Sequence, residues 1–256
     1  MTGSTHTRVA LITGGNRGLG RASALALAAD GTDIILTYRS NADEAAGVVD
    51  EITALGRKAV ALQLDTTAFA SFDAFAVELR STLADRFDRA DIDILMNNAG
   101  SVAMTPLGGT TEQAVDSMID VHFKGVVLLT QVLAPLVADG GRILNVSTGL
   151  SRFYAEGASV YASMKGAIEV YTKYLARELG PRGIAVNVIA PGATATDFGG
   201  GAVRDNERMR SALSSVTAMG RVGEATDIAG AVVGILSESA GWITAQRIEA
   251  SGGQSL

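Results

Sequence analysis

The chain has 256 residues with no cysteine, two histidines, a formal charge of −6 at pH 7 and a pI near 5.0. Lack of cysteine excludes disulfides, thiolate catalysis and cysteine-bound zinc or iron–sulfur clusters, and His6 with His122 are too few for a structural metal site, so no metal is expected. The acidic balance leaves no basic footprint for nucleic acid, and the 47% hydrophobic fraction is spread along the chain with no run expected to span a bilayer, so a soluble protein with a small-molecule partner is expected.

Residues 1–8 are polar and lack the basic flank and apolar stretch of a signal peptide, which makes a cytoplasmic location the expectation. Val9–Ile12 then reads as a strand running into Thr13-Gly14-Gly15-Asn16-Arg17-Gly18-Leu19-Gly20 and an alanine-rich helix over 21–30. Strand, glycine turn and helix in that order offer a helix N-terminus to an anion. Asp33–Tyr38 reads as the second strand and completes a βαβ unit. Helices over 42–55 and 71–86 alternate with strands over 59–64 and 92–96. A long helix over 111–137, with Pro135 near its end, precedes a strand over 142–147.

The helix carrying Tyr161 is expected to stop at Gly180-Pro181, followed by a strand over 184–189. Regularity breaks over 193–223, and a substrate lid is expected at about 194–220. A helix over 227–236 and a strand Arg247–Ala250 close the chain, and Trp242 reads as a packing residue near that strand. Such alternation predicts an α/β fold: one domain over 1–256, a Rossmann-type doubly wound parallel sheet of about seven strands with helices on both faces.

Tyr161 and Lys165, four apart on a helix, project from one face about one turn apart. A phenol titrates too high to exchange protons readily at neutrality, and a neighbouring cation lowers its pKa, so the pair suits acid–base work. The spacing Gly14, Gly18, Gly20 is GxxxGxG rather than a phosphate loop ending in Gly-Lys-Ser/Thr, which disfavours a kinase or ATPase.

Taken in order, Thr13 to Gly20, Asn97-Asn98-Ala99-Gly100, Tyr161-Ala162-Ser163-Met164-Lys165 and Pro191-Gly192 resemble the short-chain dehydrogenase/reductases across essentially the whole chain. The resemblance implies a dinucleotide at Gly14, Asn16, Arg17, Gly18, Leu19 and Gly20, adenine contacts at Asp65-Thr66, an adenosine-side turn at Asn98-Ala99-Gly100, and a nicotinamide segment at Pro191, Gly192, Thr194 and Thr196. The second strand ends in Tyr38-Arg39-Ser40 instead of an acid, so Arg39, with Arg17, is expected to receive a 2′-phosphate, and the cofactor is expected to be NADP(H).

The resemblance also implies that Tyr161 exchanges a proton with the substrate oxygen while Lys165 holds the nicotinamide ribose and lowers the phenol's pKa. The family's carbonyl-polarising serine is replaced: thirteen positions before Tyr161 stands Thr148, with Ser147 as the alternative. His122 stands where members commonly carry an asparagine that holds a water on a proton route; it either preserves a relay or is a hydrogen-bonded helix histidine. The expected activity is NADPH-dependent hydride transfer to a ketone or aldehyde, or from a secondary alcohol. The alternatives are a 3-ketoacyl-thioester reductase of lipid synthesis, which needs a basic docking patch near the lid, and a catalytically silent NADP(H) sensor. A homo-oligomer, tetramer or dimer, is implied, with the helices beginning near Thr111 and Ser159 at the interface.

Overall fold

The structure, a computed structural model, describes residues 7–256; His6 and most of the polar N-terminal segment lie outside the described residues. The first half of the chain forms β1 (Val9–Ile12), α1 (Gly18–Ala29), β2 (Asp33–Tyr38), α2 (Ala42–Ala54), β3 (Ala59–Gln63), α3 (Phe72–Thr82), β4 (Ile92–Asn97), α4 (Glu112–Ile119) and α5 (Gly125–Leu133). The second half forms β5 (Val137–Val146), α6 (Ser159–Leu179), β6 (Ala185–Pro191), β7 (Thr194–Ala195), α7 (Ala202–Asp205), α8 (Glu207–Ser215), β8 (Gly223–Glu224), α9 (Ala225–Leu236) and β9 (Arg247–Ala250). Seven strands make one parallel sheet in the order β3-β2-β1-β4-β5-β6-β9, and β7 pairs with β8 in a separate two-stranded ribbon.

Alternation along each strand splits the core between the two faces. Leu11 and Ile35 point to one face, against Phe72, Phe75 and Leu79 of α3, Leu129 and Leu133 of α5 and Leu175 of α6. Ala10, Ile12, Ile34 and Leu36 point to the other, against Leu27 of α1, Ile52 of α2 and Val232 and Ile235 of α9. The order in which successive strands are added reverses between β1 and β4, and the crevice outside the carboxyl ends at that switch point is where doubly wound sheets bind ligands.

Several boundaries differ from those read in the sequence. The long helix is broken by a π-turn, Asp120–Lys124, and its Pro135 lies in a 3₁₀ turn, Ala134–Leu136, because proline has no N–H to continue the ladder. Strand β5 then begins at Val137, which pairs with Ile92 ahead of a register shift. The stretch Glu112–Leu136 is 25 residues long and holds an 18-residue window with a mean hydropathy of 1.4, so one helix among the described residues does reach the length and composition of a bilayer span, against expectation. Its Met118, Leu129 and Leu133 are buried inside the fold, the burial a helix packed on a sheet requires. Trp242 is 99% exposed in the loop before β9 and is not packed among the described residues, which corrects the reading of it as a packing residue.

Candidate active site

The glycine turn leaves β1 and enters α1 at the switch point. Gly14 has φ +63° and Gly18 φ +55°, values that side chains rarely adopt. A Cβ on Gly20 would lie 2.2 Å from the Gly14 carbonyl oxygen and 2.5 Å from Asn98 Nδ2, so only glycine lets helix and turn approach so closely. Asn98 donates through Nδ2 to the carbonyls of Thr13 (2.8 Å) and Gly14 (3.1 Å), and the Thr13 hydroxyl accepts the amides of Asn98 (2.9 Å) and Ala99 (3.0 Å). These bonds tie the end of β4 to the turn. Thr13 was legible as part of the motif, but nothing in sequence spacing told that its hydroxyl accepts both amides. Arg17 occupies the N-cap of α1 without capping it, so the first N–H groups of the helix are left for an anion, whereas Asn41 caps α2 and Thr111 caps α4.

A cavity of about 810 Å³ runs along the carboxyl edge of the sheet. It is lined by Gly14, Asn16, Arg17, Gly18, Leu19, Tyr38, Arg39, Ser40, Asp65, Thr66, Asn98, Ala99, Gly100, His122, Thr148, Tyr161, Lys165, Pro191, Gly192, Thr194 and Thr196, so every predicted site residue except Gly20, which packs behind the turn, faces one space. Arg17 and Arg39 are exposed, and neither guanidinium is engaged in an ion pair or side-chain hydrogen bond among the described residues. Asn16 donates to Glu44, whose carboxylate also borders this end. Asp65 accepts the amide and hydroxyl of Thr67 and so holds its turn; burial would raise its pKa, but those two donors and the charge of Arg39 outweigh burial and keep it below the ordinary carboxylate range.

Asn97 is the buried neighbour that sequence reasoning left undecided. Its Nδ2 donates to Thr130 and Asn145, and Asn145 passes the chain to Thr172, whose hydroxyl donates to the Ile168 carbonyl. The network crosses from β4 through β5 to α6, the helix that bears Tyr161.

At the far end of the cavity, Thr148 and Ser147 leave β5 in opposite directions. The Thr148 hydroxyl accepts the Leu150 amide at 3.3 Å and faces Tyr161, whose pKa it draws down. Ser147 instead donates to Glu169 at 2.6 Å, and Glu169 is held by Arg247 at 2.9 Å. Lys165 donates from Nζ to the Val146 carbonyl at 2.6 Å and lies 5.8 Å from the centroid of the Tyr161 ring.

Burial governs the titration of both residues. The phenol is pushed up to about 12 by desolvation, with the Thr148 hydroxyl pulling the other way, and the Lys165 ammonium is pushed down to about 8 by desolvation. Tyr161 therefore lies above its ordinary value in the free chain, not below it as the neighbouring cation alone predicts; the phenol is held as an acid.

His122 sits in the π-turn, 1% exposed, with its ring edge-on to that of Tyr161 at 5.1 Å between centroids. Its Nε2 lies 2.6 Å from the Ser101 carbonyl, which can only accept, so Nε2 carries the proton. Nδ1 is then a bare acceptor, buried without a partner among the described residues. Desolvation, with the charge of Lys165 added, pulls the imidazole down to about 3 against the Ser101 bond, so the ring is neutral throughout the physiological range.

Beyond Tyr161 the walls turn apolar: Met104, Leu150, Phe153, Val203, Met209 and Leu213 line them. Phe198, from the segment after β7, lies 6.0 Å from the Tyr161 ring. Gln254, from the C-terminal tail, also lines the cavity and was not found in the sequence, where a lone glutamine after two glycines carries no signal.

A family model described as enoyl-(acyl carrier protein) reductase matches residues 14–255, the span that holds the glycine turn, Tyr161, Lys165 and the whole cavity wall. The chain is a short-chain dehydrogenase/reductase. It is 36% identical to an uncharacterized oxidoreductase of Methylorubrum extorquens, over 96% of this chain and 97% of that one. It is 34% identical to the 3-oxoacyl-[acyl-carrier-protein] reductase of a Synechocystis species, over 96% of each. Among solved structures, the angucycline C-6 ketoreductase LanV with bound NADP is 36% identical and superposes with a TM-score of 0.91, covering 97% of this chain and 95% of that one. This short-chain dehydrogenase/reductase is an NADP-dependent oxidoreductase, and the open α1 N-terminus, the two uncommitted arginines and the close-packed Gly20 fit the dinucleotide.

Proposed function

We propose that the protein reduces ketones or aldehydes with NADPH, Tyr161 being the proton donor, and oxidises the corresponding secondary alcohols in reverse. The observation that carries this reading is the buried Tyr161, which shares one cavity with Thr148, Lys165 and the dinucleotide cradle. Bound NADPH supplies the hydride. Thr148 donates a hydrogen bond to the substrate oxygen and Tyr161 gives up its proton as charge grows there. Lys165 leaves the Val146 carbonyl for the ribose hydroxyls, and its charge offsets that of the phenolate as the proton departs. Arg17 and Arg39 receive the 2′-phosphate; Asp65, Thr66 and Asn98-Ala99-Gly100 shape the adenosine side; and Pro191, Gly192, Thr194 and Thr196 hold the nicotinamide end. Met104, Leu150, Phe153 and Phe198 favour a substrate with a bulky apolar body. The segment over 194–220 acts as the lid of a single domain. The enzyme works in the cytoplasm as a homo-oligomer, a reading supported by the exposed Val170 and Tyr174 on α6.

A 3-ketoacyl-thioester reductase is the second reading, supported by the name of the Synechocystis relative. Such a carrier needs a basic docking patch, yet Arg204, Arg210 and Arg221 around the lid are each ion-paired with a carboxylate. A panel of ketones, aldehydes and ketoacyl thioesters, followed by NADPH absorbance, separates the readings. Turnover of free apolar ketones is expected; turnover confined to thioesters selects the second reading, and NADPH binding with no turnover contradicts both and leaves a silent sensor.

A further inference from the structure

The C-terminal tail contributes one residue, Gln254, to the wall of the cavity. Gln254 is 4% exposed and fixed on three sides. Its backbone carbonyl accepts Arg152 at 2.7 Å, and Arg152 is itself clamped by Glu249 at 2.6 Å; its backbone bridges Thr217, at the end of the lid; and its amide nitrogen donates to the Ser251 hydroxyl at 3.2 Å. The side chain is fixed as well. Oε1 lies 2.8 Å from the Ala193 backbone nitrogen, which can only donate, so the oxygen must face Ala193 and the amide NH₂ must face away from it. That NH₂ makes no hydrogen bond to a described residue and is not among the buried unpartnered atoms of the core: it opens on the cavity that the residue lines. The same cavity is lined by apolar side chains from the lid and the loop after β5, Leu150, Phe153 and Leu213. A donor fixed in a cavity wall is free to meet an acceptor that enters, and it costs free energy if a substrate displaces the water there without supplying one.

We propose that Gln254 is a specificity-determining residue, whose amide donates to a second acceptor oxygen of the substrate, a carbonyl placed beyond the one that is reduced. The proposal rests on the carbonyl-reductase reading above and names a feature of the substrate that reading leaves open. The Gln254 side chain belongs to the substrate end because its three anchors, Ala193, Thr217 and Arg152, come from the wall after β6, the lid and the loop leading to the Tyr161 helix. Discrimination by a buried polar group is strong, since a substrate without the acceptor leaves the donor unpaired.

The test compares benzyl acetoacetate with the matched phenylalkyl methyl ketone in which methylenes replace the ester, using NADPH and the full-length enzyme. Gln254→Glu keeps an acceptor for Ala193 and removes the donor; Gln254→Met removes both. The ratio of kcat/KM for the two ketones is expected to fall about tenfold or more in each variant, while NADPH affinity, read by fluorescence titration without substrate, changes less than about threefold. Equal losses on both ketones, an unchanged ratio, or a loss confined to NADPH affinity would overturn the proposal. Should Gln254→Met melt early, Gln254→Glu alone decides. Wild-type enzyme that oxidises NADPH with neither ketone would overturn the parent reading and this one with it, an outcome distinct from an unaltered preference in an active variant.

Discussion

Ser147 and Thr148 carry the same functional group on consecutive residues, and the alternation of an extended chain sends them to different partners. Thr148 meets Tyr161, while Ser147 is drawn into the ion pair of Glu169 and Arg247. Thr148→Val should therefore lower kcat/KM by about 10²- to 10³-fold, and Thr148→Ser should retain most of it, because only the hydroxyl matters to the substrate oxygen. Ser147→Ala should cost about 1 kcal/mol of stability through the loss of one of Glu169's donors, Ser151 and Arg247 remaining, and spare the chemistry; the reverse ordering in steady-state kinetics would exchange the two roles. His122 makes a prediction of its own. Its folded pKa of about 3 lies below the ordinary histidine value of 6.5, so between those pH values the unfolded chain binds a proton that the folded chain refuses. Stability should fall as pH drops through that window, and His122→Phe should flatten the dependence in melting curves taken across it. Identical pH profiles for the two proteins would show that His122 is not the buried neutral group described.

At the scale of elements, the turn from β1 into α1 depends on the absence of one methyl group. Gly20→Ala would force its Cβ onto the Gly14 carbonyl and Asn98, so NADPH binding should be lost and the melting temperature lowered; a variant that binds NADPH normally would refute the close approach. On the proposed reading, Arg39 at the end of β2 selects the coenzyme. Arg39→Asp should weaken NADPH by about tenfold to a hundredfold while leaving NADH much less affected, and equal losses would remove the phosphate argument.

These elements were also the most legible in the sequence, because strand–glycine–helix order and apolar alternation are local patterns. The π-turn at Asp120–Lys124 and the early start of β5 were not, since a helix with an inserted residue has the same apolar period as one without. Gln254 was illegible for another reason: its importance arises from Ala193, Thr217 and Arg152, which are distant in sequence and meet only in the fold.

For the molecule as a whole, the sheet order brings the ends of β1, β2, β4, β5 and β6 to one edge, and one cavity there spans both the glycine turn and Tyr161. The exposed Val170 and Tyr174 on α6 predict a homo-oligomer in sedimentation, weakened by Tyr174→Asp; a monomer at micromolar concentration would contradict it. The central claim concerns the proton. Tyr161→Phe removes one hydroxyl and keeps the ring that packs against His122 and Phe198. With a ketone that the wild-type enzyme reduces and saturating NADPH, followed by absorbance, the variant should bind coenzyme normally and lose turnover by about 10²- to 10⁴-fold. Undiminished turnover in Tyr161→Phe would contradict the account.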